Sequence, residues 1–261
     1  LAGRVVWEGP EQPEGLFAEG GWHHSFRRTP DDTYLGLRYA FEGLQLYDRV
    51  SEIDAEGETL WSWRSIEHGD VLGDDYPHGN NAMLVDGGDS LYYSSRYTSS
   101  LLKLDRDSRD VLWQLGEGRD FEYAGEHETP WFLQAHARQV LPDGNVLLYD
   151  NGVVEHREWS RIVEYALDED AMTATIAWEY PGELADDEWF TFAWGDADRL
   201  DNGNTLVCAG TLVGRQSQSR LFEVTPDGDK VWQVLLSVNE DEELAGSYMA
   251  QRIPVLLEEL P

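Results

Sequence analysis

Short runs in which apolar and polar residues alternate recur along the whole chain, each bounded by a turn-forming cluster. Tyr34 to Tyr39, Leu91 to Ser95, Val146 to Tyr149 and Thr205 to Cys208 are such runs. They follow Pro30-Asp31-Asp32, Asp86-Gly87-Gly88, Pro142-Asp143-Gly144-Asn145 and Asp201-Asn202-Gly203-Asn204 respectively. Asp-Gly and Asn-Gly turns between runs of period two are hairpin signals, because the left-handed backbone they supply matches the twist of paired strands. A second hairpin follows in two of the units. Leu101 to Leu104 leads through Asp105 to Asp110 into Val111-Leu112-Trp113, and Leu221 to Val224 leads through Pro226-Asp227-Gly228 into Lys230-Val231-Trp232.

The unit closes on a tryptophan each time: Trp7, Trp61, Trp113, Trp178 and Trp232, separated by 54, 52, 65 and 54 residues. Four strands repeated every roughly 40–50 residues predict an all-β fold of the β-propeller class. A β-sandwich also has many short strands, but nothing in it requires a unit to recur. The pattern predicts one domain over residues 1–261 with five to six four-stranded blades. Four would be complete. The last would be a composite in which the strand at Gly3 to Glu8 pairs with one at 247–260, removing two sheet edges that would otherwise invite aggregation. Segments 9–21, 64–76, 118–133 and 180–190 read as linkers between units.

Composition narrows the function classes. With 261 residues, 41% of them hydrophobic, the chain can build a substantial core. Its apolar runs are too short to cross a bilayer, and no charged-then-apolar leader is expected at its start. Acidic residues number 51 against 19 basic ones, a formal charge of −32. Such a polyanion is repelled by phosphate backbones and anionic lipid, so nucleic-acid and membrane-surface partners are not expected. Lys103 and Lys230 are the only lysines. Acids spread over the whole chain predict adaptation to high salt, where screening shortens carboxylate repulsion to about 3 Å at 1 M. One cysteine, Cys208, excludes an internal disulfide and a multi-cysteine zinc site.

Three of the seven histidines hold one place in the repeat. His24 and His136 lie six residues before Pro30 and Pro142, and His78 lies seven before Val85, which stands where the proline would be. Each falls where the first strand of its unit begins. First strands line the channel of a propeller, so the three rings are expected to converge at one end of it. The fourth unit has Gly195 and Asp196 there, and Tyr248 lies near the same place in the composite unit. A single histidine is more often a structural hydrogen-bonded ring, whereas three at one repeat position point to chemistry. His78 is followed by Asn80 and, at the end of the next strand, by Ser94-Ser95-Arg96. The Arg96 guanidinium is a planar fork suited to a tetrahedral oxyanion.

His78-x-Asn80, Ser94-Ser95-Arg96 eighteen residues after His78, and Gln134-Ala135-His136 before a Pro-Asp-Gly-Asn turn together resemble the arylsulfate sulfotransferases of bacteria and archaea. The Leu101 to Gly116 run and Tyr149-Asp150-Asn151-Gly152 extend that resemblance over roughly residues 3–260. It implies a six-bladed propeller that moves a sulfuryl group between phenols without a nucleotide sulfate donor, through a transiently sulfated histidine, in an extracytoplasmic and high-salt setting. It implies His136 as that nucleophile, with His78, Asn80 and Arg96 binding the sulfate and stabilising its charge. His24 is another catalytic histidine, and His23, its neighbour, is the alternative for that place. Neither a cofactor nor a metal is implied; the partners are an aryl sulfate donor and a phenol acceptor.

Neutral imidazole suits the step, being uncharged before attack on a sulfate monoester and a good leaving group afterwards. A protonated His78 would join Arg96 and Asn80 on the equatorial oxygens, and His78 or His24 would handle the phenolic proton. Trp131 and Trp194 are candidates for holding the aryl ring, with core packing as the alternative. Two other readings stand beside this one: a non-catalytic propeller that serves as a binding platform, and a metal-dependent propeller hydrolase such as a calcium lactonase.

Overall fold

A computed structural model of the chain describes residues 7–15, 17–73, 76–181, 190–211, 218–237 and 246–252. The chain is all-β and of the propeller class, and its described residues form four blades in two compact units, residues 1–120 and 121–261. Blade one is β1 (Trp22–Arg28), β2 (Tyr34–Glu42), β3 (Gln45–Ile53) and β4 (Thr59–Arg64). Blade two is β5 (Gly79–Val85), β6 (Ser90–Ser95), β7 (Ser100–Asp105) and β8 (Val111–Leu115). The second unit starts with a two-residue strand, β9 (Glu122–Tyr123). Blade three follows with β10 (His136–Val140), β11 (Val146–Asp150), β12 (Arg161–Asp168) and β13 (Thr173–Tyr180). Blade four is β14 (Asp196–Arg199), β15 (Thr205–Ala209), β16 (Gln218–Val224) and β17 (Lys230–Ser237). Within each blade every strand pairs antiparallel with the next in sequence.

The turn residues do specific work. In the β10–β11 turn the Asp143 carboxylate accepts the Asn145 amide, and the Asn145 side chain donates to Glu164 on the third strand of that blade at 2.7 Å. Asn202, Asn204 and Glu223 repeat the arrangement in blade four. Second strands are buried on both faces: every residue of β6, β11 and β15 is inaccessible. Leu35, Leu37, Val50, Trp63, Leu91, Tyr93 and Leu102 form one core in the first unit. Leu147, Tyr149, Ile162, Val207, Ala209 and Phe222 form one in the second. Each large side chain so buried contributes about 1.5–3 kcal/mol.

The recurring tryptophans staple one blade to the next. Trp61 Nε1 donates to the Arg106 carbonyl in the β7–β8 turn at 2.8 Å, and Trp178 Nε1 to the Pro226 carbonyl in the β16–β17 turn at 2.8 Å. Trp7 does the same towards Ala55 in the β3–β4 turn at 3.0 Å, its ring stacked on Tyr34 at 3.8 Å. Buried indole needs a partner for its one donor. A fixed bond to the neighbouring turn is therefore what the spacing of about fifty residues encodes.

Two expectations change. The described residues hold four blades, not five or six. Trp7, Glu8 and residues 246–252 are irregular, while 1–6 and 253–261 of the expected composite blade lie outside the described residues. The expected linkers also carry structure. Ser65–His68 and Gly69–Leu72 are short helical turns, and β9 adds to the outer edge of blade three by parallel pairing with β13.

Candidate active site

The first strands of blades one, two and three are irregular at the histidines. Pairing slips between His23 and Phe26, between Gly79 and Asn81, and between His136 and Arg138. A bulge inserts a residue and re-aims the side chains around it. His24 and His78 sit there at φ 52° and 54°, a left-handed backbone that costs a side-chain-bearing residue of order 1–3 kcal/mol. Surrounding contacts must therefore enforce it.

In the first unit those contacts centre on Asp48 of β3, a fully buried residue. Its Oδ2 accepts the Gly79 amide at 2.6 Å and the Tyr93 hydroxyl at 2.5 Å. Its Oδ1 lies 3.1 Å from His23 Nε2, a charge contact off the line of a straight hydrogen bond. Burial alone would raise the Asp48 pKa, but His23, the Tyr93 hydroxyl and the Gly79 amide outweigh it and hold the carboxyl below its ordinary value. Only glycine fits at 79, since a Cβ there would stand 2.6 Å from the Tyr93 ring and 2.9 Å from the Asp48 carboxylate.

From Asp48 the histidines run in a line. His23 Nδ1 is 2.9 Å from His24 Nδ1, and His24 Nε2 is 3.2 Å from His78 Nε2. Tyr39 stacks on His23 at 4.0 Å, while Tyr76 and Tyr97 lie against His78 at 5.4 and 5.1 Å. Arg96 is placed as its sequence position predicts. Its amide donates to the His78 carbonyl at 3.1 Å, and its guanidinium lies 5.5 Å over the Tyr97 ring. Burial first, and then the charge of Arg96, push His78 down to about 4. At neutral pH it is therefore an uncharged base, where the sequence reading has it protonated. Asn80 is buried at the start of β5. His23, the alternative to His24, is a buried link between it and Asp48.

In the second unit His136 is buried, with Nδ1 2.7 Å from Asn151 Oδ1. Asn151 Nδ2 donates to the carbonyls of Thr191 and Trp194 at 3.0 and 2.8 Å, so its oxygen is the acceptor facing His136. His136 Nδ1 therefore carries the proton. Nε2 keeps the lone pair and accepts the Trp194 amide at 3.2 Å. Trp194 itself is held at φ 64°, and a Cβ on neighbouring Gly195 would strike the Tyr149 ring at 2.5 Å. Asp150, beside Asn151, accepts from Arg157 and from Arg161 Nε at 2.9 Å. Burial would raise its carboxyl, but the two arginines more than offset that and lower it. Losing one partner of so buried a set costs about 3–5 kcal/mol, which gives the triad a structural role.

The first unit thus joins His24 and His78, and adds His23 and Asp48. The second unit gives His136 a fixed tautomer through Asn151. Trp194 is tied to His136 by its backbone. Trp131 packs instead on Tyr123 and Tyr165, with ring centroids 6.1 and 6.2 Å apart. Asp196, which opens β14, accepts the Ala250 amide at 3.2 Å. Asp48 is invisible to sequence reading because it is one acid among 51. Asn151 carries a faint signal, a polar pair Asp-Asn closing an otherwise apolar strand. Among the described residues no three His, Cys, Asp or Glu side chains group to hold a metal ion, and no helix is long and apolar enough to cross a membrane.

The sequence profile of the arylsulfotransferase (ASST) family matches residues 14–248. No curated protein matches the chain. Among solved structures, a protein of unknown function from Bacteroides caccae aligns with a TM-score of 0.51 and 15% identity, over 80% of this chain and 65% of that one. Hydrazine synthase from Kuenenia stuttgartiensis aligns with a TM-score of 0.49 and 12% identity, over 91% of this chain and 53% of that one. A protein from Lactobacillus plantarum aligns with a TM-score of 0.47 and 11% identity, over 89% and 61%. The chain spans between about half and two-thirds of the length of these structures, and at such identities the likeness to the first concerns the fold alone.

Proposed function

The chain belongs to the arylsulfotransferase family, and on that premise we propose that it moves a sulfuryl group from an aryl sulfate to a phenol by way of a sulfated His136. The observation that carries this reading is the fixed tautomer of His136, whose Nε2 keeps its lone pair because Asn151 takes the proton of Nδ1. In the first half-reaction the Nε2–S bond forms as the S–O bond to the aryl group breaks, and the phenolate leaves with the electron pair. In the second, the acceptor oxygen bonds to sulfur, the S–N bond breaks, and the phenolic proton passes to a base. The Trp194 amide must release Nε2 for the first attack, so this hydrogen bond opens once per turnover. Arg96 and Asn80 supply donors to the sulfuryl oxygens. His78, neutral at physiological pH, is suited to take a proton from the acceptor.

The test is a colour assay with 4-nitrophenyl sulfate in molar KCl. Nitrophenolate release should require an added phenol and ignore chelator. Release that is stopped by chelator and indifferent to phenol would replace transfer by metal-dependent hydrolysis; no release at all would favour a binding platform. Molar salt is specified because a net charge of −32 repels itself at low ionic strength. We infer salt adaptation from that charge, and expect the melting temperature to rise between dilute buffer and molar KCl. A flat melting temperature would refute it.

A further inference from the structure

The proton positions along the first-unit histidines follow from their partners. A carboxylate only accepts, so neutral His23 must carry its proton on Nε2, facing Asp48. Its Nδ1 is then an acceptor, and His24 must donate from Nδ1. His24 Nε2 is an acceptor in turn, and His78 must donate from Nε2. The last lone pair of the series falls on His78 Nδ1. All three rings are polarised in one direction, from His78 towards Asp48.

We propose that His78, His24, His23 and Asp48 form a proton wire that takes up the acceptor's proton at His78 Nδ1 and brings the charge to rest on His23 beside Asp48. What delivers the proton rests on the reading above, in which a phenol is the acceptor. As the phenol O–H bond breaks, an N–H bond forms at His78 Nδ1. The His78 Nε2 proton passes to His24 Nε2, and the His24 Nδ1 proton passes to His23 Nδ1. His23 is then an imidazolium, with protons on both nitrogens, 3.1 Å from the Asp48 carboxylate. The reverse sequence delivers a proton to the phenolate expelled in the next half-reaction. One proton is stored and one returned per cycle, so the balance closes without exchange with solvent.

The surroundings favour charge at the inner end. Arg96 opposes a cation on His78, while Asp48 attracts one on His23. The other groups facing the wire do not compete for the proton. The hydroxyls of Tyr39 and Tyr76 are raised above their ordinary value, in both cases by burial first and then by the Asp48 charge. Tyr93 is occupied in donating to Asp48, and Tyr97 lies at the His78 end. His23 and Asp48 act through His78 and are positioning residues.

The first experiment needs no activity. In protein labelled with 15N-histidine and assigned by single His→Gln substitutions, His23 and His78 should carry hydrogen on Nε2 and His24 on Nδ1 at pH 7. Finding His24 or His78 in the opposite tautomer, or His78 as imidazolium at that pH, would overturn the wire. Asp48→Asn should lower the midpoint at which the wire takes up a proton by about one pH unit or more; an unchanged midpoint would remove Asp48 from it. If that variant does not fold, His23→Gln, which breaks the wire while leaving the carboxylate, should lower the midpoint likewise, with the same overturning result. With an unactivated phenol as acceptor, either variant should lose about 10²–10⁴ in kcat with donor KM unchanged. Equal losses in kcat and KM would mark a structural role instead. Absence of transfer in the unaltered protein would defeat the functional reading and leave the wire to stand or fall on its tautomers.

Discussion

His136→Ala abolishes transfer from 4-nitrophenyl sulfate to phenol, with initial rates expected to fall about 10⁴-fold or more, as when a nucleophile is removed elsewhere. Nothing else near Asn151 offers a neutral nitrogen with its lone pair held in place. The fold should survive. The substitution leaves Asn151 Oδ1 and the Trp194 amide without their imidazole partner, at a cost of about 1–3 kcal/mol each. The blade core of Leu147, Tyr149, Ile162 and Phe222 is untouched. Circular dichroism and a melting curve would check that. Turnover near the original rate in a folded variant would end the assignment of His136 as the sulfated residue.

Arg96→Lys is the second large effect, with kcat/KM expected to drop about 10²–10³-fold. Lysine keeps the charge but not the fork, and a single ammonium cannot donate two parallel bonds to a sulfuryl group. Retention of most activity would mean that charge alone is needed. Arg96→Gln adds a readout through His78. Arg96 is one of the causes holding His78 down to about 4, so removing its charge raises the His78 pKa, although burial still depresses it. The rate depends on neutral His78. The acid limb of the pH profile should therefore move to higher pH in Arg96→Gln and stay nearly in place in Arg96→Lys. An unmoved limb in Arg96→Gln would show that Arg96 does not act on the proton acceptor.

Much of the site was legible because the repeat is a local signal. Turn residues and period-two runs place the start of each first strand, and the structure begins β5 beside His78 and β10 at His136, with His24 inside β1. The end of β6 returns Arg96 to His78 as expected, since paired neighbours must lie side by side. The protonation of His78 was not legible, because it depends on burial and on a charge eighteen positions away. The packing of Trp131 on Tyr123 and Tyr165 was not legible either, because an aromatic serves a core and a binding site equally well.

By itself the amino-acid order determined the blade repeat, its hairpins, the tryptophan that closes each unit and the shared position of three histidines. All of these follow from residues a few places apart, and local propensity and pattern are sufficient to fix them. Only tertiary structure decided which nitrogen of each histidine bears hydrogen. Asp48 comes from 31 positions before Gly79 and 45 before Tyr93, and Asn151 is oriented by Thr191 and Trp194, 40 and 43 positions on. Such partners meet only when blades pack, and a proton's place on an imidazole is set by what the ring then faces.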